Sequence, residues 1–191
     1  MRTERQQELL NAAVALVAKE GFSRLTIRKV AAAVGVTEPA VYRHFPNKLA
    51  LMRAILEDLQ ASVVSHFRKL AAAEGSPEKL VSGFIRGLFS ELKHKPAFAP
   101  LVFSEEAFHS EPQLRPLLLR MMRENLSLLG KAFAELQGRG IFRGDIPADR
   151  LALITMGSIR LTITRSILSD GGEAIAEQAA GLSDTLVKLF S

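Results

Sequence analysis

Tyr42, Arg43 and His44 are consecutive in the segment TIRKVAAAVGVTEPAVYRHFPNK, residues 26 to 48. Together they carry the chemistry of nucleic-acid recognition. A guanidinium such as that of Arg43 pairs with the O6 and N7 edge of guanine, and the ring of Pro39 and the methyl of Ala40 suit a thymine methyl group. The phenol of Tyr42 and the imidazole of His44 are suited to phosphates. Lys48 adds a cation beside the free N–H groups of a helix start, a second phosphate-holding arrangement.

The neighbouring positions supply the elements that place these residues. Thr26 caps a short helix in which Ile27, Val30, Ala31 and Val34 recur at helical spacing. Gly35 stops it, because glycine accepts the left-handed conformation of a sharp turn, and Ala31 to Ala33 let a second helix come close. Thr37 stands at the N-cap of that second helix, Pro39 fits its first turn, and Pro46 ends it after about two turns. Val41 and Phe45, four apart, point inward and leave Glu38, Pro39, Ala40, Tyr42, Arg43 and His44 outward. Asn47 caps the helix that follows. This pattern is a helix-turn-helix. An αα-hairpin buried in an ordinary bundle is the alternative, and so compact an outward set of Tyr, Arg and His argues against it.

The charge distribution agrees. Residues 1 to 53 hold nine Lys or Arg against four acids, and the other 138 residues carry sixteen of each sign, so the whole net charge of +5 sits in the segment with the helix-turn-helix. A polyanion is the partner such a segment suits, whereas a basic face alone is often merely solvated. The 191 residues are 48% hydrophobic with no Cys and no Trp, and their many Ala, Leu, Glu, Lys and Arg favour an all-α fold. Lack of Cys removes disulfides, thiolate chemistry and Cys-ligated zinc. The N-terminus has no signal-peptide pattern and no stretch reaches membrane-spanning length, so no membrane association and a cytoplasmic location are expected.

Residues 4 to 20 read as an amphipathic helix, with Leu9, Leu10, Ala13, Val14, Leu16 and Val17 on one side and Gly21 at its end. Phe22 and Leu25 are expected to pack beneath the helix-turn-helix, which makes a three-helix head. Arg2, Thr3 and Arg5 suit phosphates or the minor groove, and without DNA a frayed, solvated terminus is expected for them.

The first 55 or so residues resemble the DNA-binding head of the TetR family of transcriptional repressors, from the helix ending in Gly21-Phe22 through LTIRKVAAAVGVTEPAVYRHFPNKLALM. The resemblance implies DNA contacts at Thr26, Arg28, Thr37, Tyr42, His44 and Lys48. The string Tyr42-x-His44-Phe45-x-x-Lys48 is its most specific part. Glu38-Pro39-Ala40-Val41 departs from the small polar residue and Gly or Ala that many relatives carry there, so base preference does not transfer. Beyond the head the resemblance is architectural. It implies an α-helical ligand-binding and dimerisation body, about nine helices in all, with the last two helices forming the homodimer's four-helix bundle.

The expected domains are residues 1–47, the head, and 48–191, the body. A connector helix runs from Lys48 to about Ala73 with Leu51, Ile55, Leu59, Val63, Phe67 and Leu70 on one face. After the break Glu74-Gly75-Ser76-Pro77, a helix to about Lys95 turns Leu80, Phe84, Leu88 and Leu92 inward. Its GxxxG, Gly83 and Gly87, points to close helix packing, because the charged residues around it exclude a membrane dimer. Phe98, Phe103 and Phe108 fall in a proline-broken stretch and suit either a pocket for a small apolar molecule or a core. Helix 117–138 offers Met121, Met122, Asn125 and Phe133 as a pocket wall, to which Phe84, Leu88, Met156 and Arg160 are added; packing alone explains the methionines equally.

The stretch from Leu151 to Leu168 is apolar on more than one face, as a helix between its own core and a second copy is. Arg160 and Arg165 interrupt it, as interface ion pairs or, for Arg160, as an anchor for an anionic ligand group. Glu105, Glu106 and His109 include an acid-His pair at metal-ligand spacing but lack a third ligand, so no metal is expected.

Double-stranded operator DNA, a small hydrophobic or anionic effector and a second copy of the chain are the expected partners. The function expected is that of a homodimeric repressor released from a palindromic operator by its effector. An architectural or occlusion DNA-binding protein of the same fold, controlled by a protein partner, is the alternative. The four histidines His44, His66, His94 and His109 are scattered, and no nucleophile triad or phosphate-cradling glycine loop is present, so no catalytic residue and no cofactor are expected.

Overall fold

Among the described residues the only regular structure is helical. The structure, a computed structural model, describes residues 2–21, 23–94, 111–168 and 175–191. Its α-helices are α1 (Glu4–Glu20), α2 (Ile27–Val34), α3 (Glu38–Tyr42), α4 (Lys48–Ala71), α5 (Pro77–His94), α6 (Arg115–Gly138), α7 (Ala148–Leu168) and α8 (Ile175–Phe190), and a 3-10 turn, Pro112–Leu114, precedes α6. Phe22, Phe98, Phe103, Glu105, Glu106, Phe108 and His109 lie outside the described residues. The chain divides into two compact units, Met1–Gln60 with Lys95–Leu118 and Ala61–His94 with Leu119–Ser191.

In the first unit α1 begins with a reciprocal cap. The Thr3 hydroxyl accepts from the Gln6 amide at 3.2 Å, and the Gln6 side chain accepts from the Thr3 amide at 3.0 Å, so two backbone N–H groups without helical partners are satisfied. Leu9, Leu10, Ala13 and Val17 form its buried stripe. Leu25, Val30, Val41, Leu51, Met52 and Ile55 of the same unit are likewise nearly inaccessible to water, and α1 packs against α2. Burial of a Leu, Ile or Val side chain stabilises by roughly 1.5–3 kcal/mol, so this set holds the short helices α2 and α3, which are too brief to persist alone.

The N-terminus departs from the frayed state expected of it. Besides the Thr3 cap, the Arg2 guanidinium donates to the Ala54 carbonyl at 3.0 Å and pairs with Asp58 and, at 3.8 Å, Glu57. Arg5 pairs with Glu8 at 2.6 Å. Arg2 is thereby committed to α4.

In the second unit α5 packs against α8, where the hydroxyls of Ser82 and Ser183 meet at 2.9 Å. Phe133, Phe142 and Phe190 form an aromatic cluster with centroid separations of 4.6 to 5.7 Å, and the Arg143 amide donates to the Phe190 carbonyl at 2.9 Å, tying the end of α8 to the turn after α6. The two glycines of the GxxxG differ. A Cβ on Gly87 stands 3.3 Å from Nδ1 of His66, a close approach of α4 and α5, while one on Gly83 has nothing within 4 Å.

Helix α7 buries Leu151, Ala152, Thr155, Ile159 and Ile163, with the Thr155 hydroxyl donating to the Leu151 carbonyl at 2.8 Å. Its other side exposes Leu153, Ile154 and Leu161, so it is apolar on two faces.

Candidate nucleic-acid interface

Helix α2 starts where the Thr26 hydroxyl accepts from the Lys29 amide at 3.2 Å. The Lys29 ammonium turns back to Glu20 at 2.5 Å and to the Arg24 carbonyl at 3.1 Å, which fixes α2 against the end of α1. That hydrogen bond from Lys29 is the main cause holding the Glu20 carboxyl below its ordinary value, helped by the positive charges of Lys29, Lys19 and Arg24.

The turn between the two helices is made by Gly35 at φ 72° and ψ 32°. The Val36 amide donates to the Ala31 carbonyl at 2.9 Å across it, satisfying an end carbonyl of α2.

Thr37 occupies the N-cap of α3, but its hydroxyl makes no capping bond. Its carbonyl alone starts the helix, accepting from the Ala40 amide at 3.0 Å and the Val41 amide at 3.3 Å. The exposed hydroxyl is thus left over from the helix start. Helix α3 has five residues, shorter than the two turns expected, and the helical turn is carried on by the Phe45 amide donating to the Val41 carbonyl at 2.9 Å.

Val41 at 0% exposure and Phe45 at 5% anchor this turn. Pro39, Tyr42 and Arg43 are exposed, Tyr42 to 46%, while Glu38, Ala40 and His44 are half-buried. Thr26 and Arg28, at the start of α2, are also exposed. Neither Arg28 nor Arg43 has an acid partner among the described residues. The arrangement is a short helix whose outward face offers a guanidinium, a phenol, an imidazole and a proline ring, with hydroxyls at Thr26 and Thr37. Such a face can read base edges and hold phosphates at once.

The start of α4 completes it. The Asn47 side chain accepts from the Ala50 amide at 2.8 Å, and Lys48 follows in the first turn, half-buried, with its ammonium 3.2 Å from Oε1 of Glu111. Glu111 was not among the residues expected at this site, since an acid far along the chain carries no local signal of the lysine it meets.

The residues considered for a ligand site fall in different surroundings. Phe84 is buried against Phe67 with ring centroids 6.0 Å apart, and Phe133 belongs to the cluster with Phe142 and Phe190. Met121 is buried, Leu88, Asn125, Met156 and Arg160 are half-buried, and Met122 is 45% exposed. Oδ1 of Asn125 is buried without a hydrogen-bond partner. Among the described residues no group of three or more His, Asp or Glu is placed to hold a metal ion, and no helix is long and apolar enough to cross a membrane.

Residues 9–55 match the family model described as bacterial regulatory proteins of the tetR family. Over most of its length the chain is similar to the nucleoid occlusion factor SlmA of Vibrio cholerae, with 24% identity over 170 residues covering 88% of this chain and 87% of that one. It is similar at 24% identity over 193 residues to the probable acrEF/envCD operon repressor of Escherichia coli, covering 97% of this chain and 86% of that one. Among solved structures, the transcriptional regulator FadR from Bacillus subtilis in complex with stearoyl-CoA superposes with a TM-score of 0.81 over 95% of this chain and 97% of that one. Its 18% identity bears on the fold alone. With the matched segment in residues 9–55 and the exposed face of α3 upon it, the chain carries the DNA-binding head of the tetR family of bacterial regulatory proteins.

Proposed function

We propose that this protein is a homodimeric transcriptional repressor that binds a palindromic operator through two copies of the head, residues 1–47, and is released when the body, residues 48–191, takes up a small hydrophobic or anionic effector. The observation that carries the reading is the exposed pair Tyr42 and Arg43 on a turn anchored by buried Val41 and Phe45. In this reading Arg43 reads a guanine, Pro39 and Ala40 meet a thymine methyl, Glu38 accepts from a cytosine amine, and Thr26, Arg28, Thr37, Tyr42, His44 and Lys48 hold the backbone.

A second copy is supported by the outer face of α7, where Leu153, Ile154 and Leu161 are exposed to 44–62%. Two heads must stand about 34–36 Å apart to enter successive major grooves. An effector that prefers another spacing lowers operator affinity by its differential binding to the two arrangements. The apolar residues Phe84, Leu88, Met121 and Met156 suit an apolar effector, and the complex of FadR with stearoyl-CoA is an instance of such a molecule on this fold.

Footprinting on the DNA upstream of its own gene, with and without a metabolite extract, tests this. A palindromic footprint released by the extract is the expected result. The similarity to SlmA favours a second reading, an occlusion protein controlled by a protein partner. Many dispersed sites that no extract releases would support that reading over repression.

A further inference from the structure

Lys48 is set apart from the other basic side chains expected on the DNA face. Arg28 and Arg43 lack an acid partner among the described residues, whereas the Lys48 ammonium lies 3.2 Å from Glu111. That acid comes from outside the family's head, which ends at residue 55. It stands at the N-cap position of the 3-10 turn that leads into α6. The two side chains keep 29% and 24% of their surface accessible, so the pair is screened by water and exchangeable. Asn47 meanwhile holds the start of α4. The flexible stem of Lys48 can therefore move its charge between two anions without a change of backbone.

We infer that Glu111 sets the DNA affinity of the head by competing with a DNA phosphate for the Lys48 ammonium. The inference rests on the DNA-binding reading of Lys48 given above. An ammonium shared between a carboxylate and a phosphate brings two negative charges within a few ångströms, and like charges at that distance repel. Docking therefore either breaks the Lys48–Glu111 pair or leaves Lys48 out of the interface. Both routes subtract from affinity. Because Glu111 leads into the first turn of α6, a displacement there changes how strongly it competes.

The test uses the full chain and a labelled random-sequence duplex of about 30 base pairs, whose phosphates are read without regard to sequence, at about 50 to 200 mM salt. Fluorescence anisotropy gives the affinity at each salt. Glu111→Gln is isosteric and partly exposed, so folding is expected to survive, and circular dichroism checks it. The variant is expected to bind about two- to fivefold tighter at low salt, the range that release of a surface pair allows. Its plot of log affinity against log salt is expected to steepen by up to about 0.9, the signature of one more phosphate contact. In a Lys48→Gln background the same substitution is expected to change neither quantity.

Affinity unchanged or weakened by Glu111→Gln overturns the inference. An equal gain in the Lys48→Gln background also overturns it, because Glu111 then acts as a general like charge. Wild-type protein that binds no duplex at low salt overturns the DNA-binding reading and this inference together, while a wild type that binds and a Glu111→Gln that behaves identically overturns this inference alone.

Discussion

The Phe45 amide donates to the Val41 carbonyl at 2.9 Å, and both side chains are buried in the head while Tyr42 and Arg43 between them are exposed. One helical turn thus has a structural edge and a recognition edge. Substitutions on the two edges are expected to separate stability from DNA binding.

Val41→Ala removes two methyl groups from a fully buried site and is expected to cost about 2 kcal/mol of stability. Arg43→Ala is expected to leave the urea midpoint within experimental scatter and to lose about 1–3 kcal/mol of discrimination at one base pair. Urea melts and anisotropy with an operator and its single-base variants check both. A Val41→Ala variant of unchanged stability, or an Arg43→Ala variant that discriminates as the wild type does, goes against this division.

Much of the head was legible because its signals are local. The Thr26 cap, the left-handed Gly35 and the inward pair Val41 and Phe45 each depend on a few neighbouring residues, and the structure has all three. What could not be read were pairings between distant residues. Nothing near Arg2 announces Asp58, and nothing near Lys48 announces Glu111. The Thr37 hydroxyl illustrates a subtler limit, since residue type suits the cap position while the side-chain rotamer decides whether the bond is made. In the body, Phe133 was expected at a pocket wall, and the rings it packs against, Phe142 and Phe190, come from a turn and from the last helix, which no signal near Phe133 announces.

Gly35 offers a test of the turn in isolation. Its φ of +72° is a conformation other residues adopt at a cost, and a Cβ there has nothing within 4 Å. The penalty of Gly35→Ala therefore comes from the Cβ against its own local backbone, with no clash against other side chains, and is about 1–2 kcal/mol. Gly35→Asn is expected to cost less, because asparagine tolerates the left-handed region. Equal costs for the two variants in urea melts would mean that the turn is not held left-handed in solution.

The Glu20–Lys29 pair should appear in the acid limb of stability. Its hydrogen bond holds the folded Glu20 carboxyl below the ordinary 4.5, so its contribution is present above that value and is lost as pH falls through the lower folded one. Lys29→Met removes the partner. The gap in urea midpoint between wild type and variant is expected to hold from neutral pH down to about 5 and to narrow below 4.5, leaving the part due to the Arg24 carbonyl bond. A gap independent of pH would show that the pair does not couple to folding.

Among the α7 residues whose side chains are described, Leu161 is the most exposed large hydrophobic, at 62%, and it shares the helix with exposed Leu153 and Ile154. Scattered apolar residues are ordinary on a surface, but three on one helix opposite its buried face fit a contact with a second copy. A charge at the centre of such a contact costs desolvation twice, once from each subunit, by symmetry. Leu161→Glu is expected to convert a dimer into a monomer in sedimentation at micromolar concentration while leaving helicity unchanged. Operator affinity is then expected to fall by more than tenfold, because each head binds without the effective concentration supplied by its partner. A variant that remains dimeric would place the interface elsewhere on the chain, and a monomeric wild type would remove the homodimer from the proposed function.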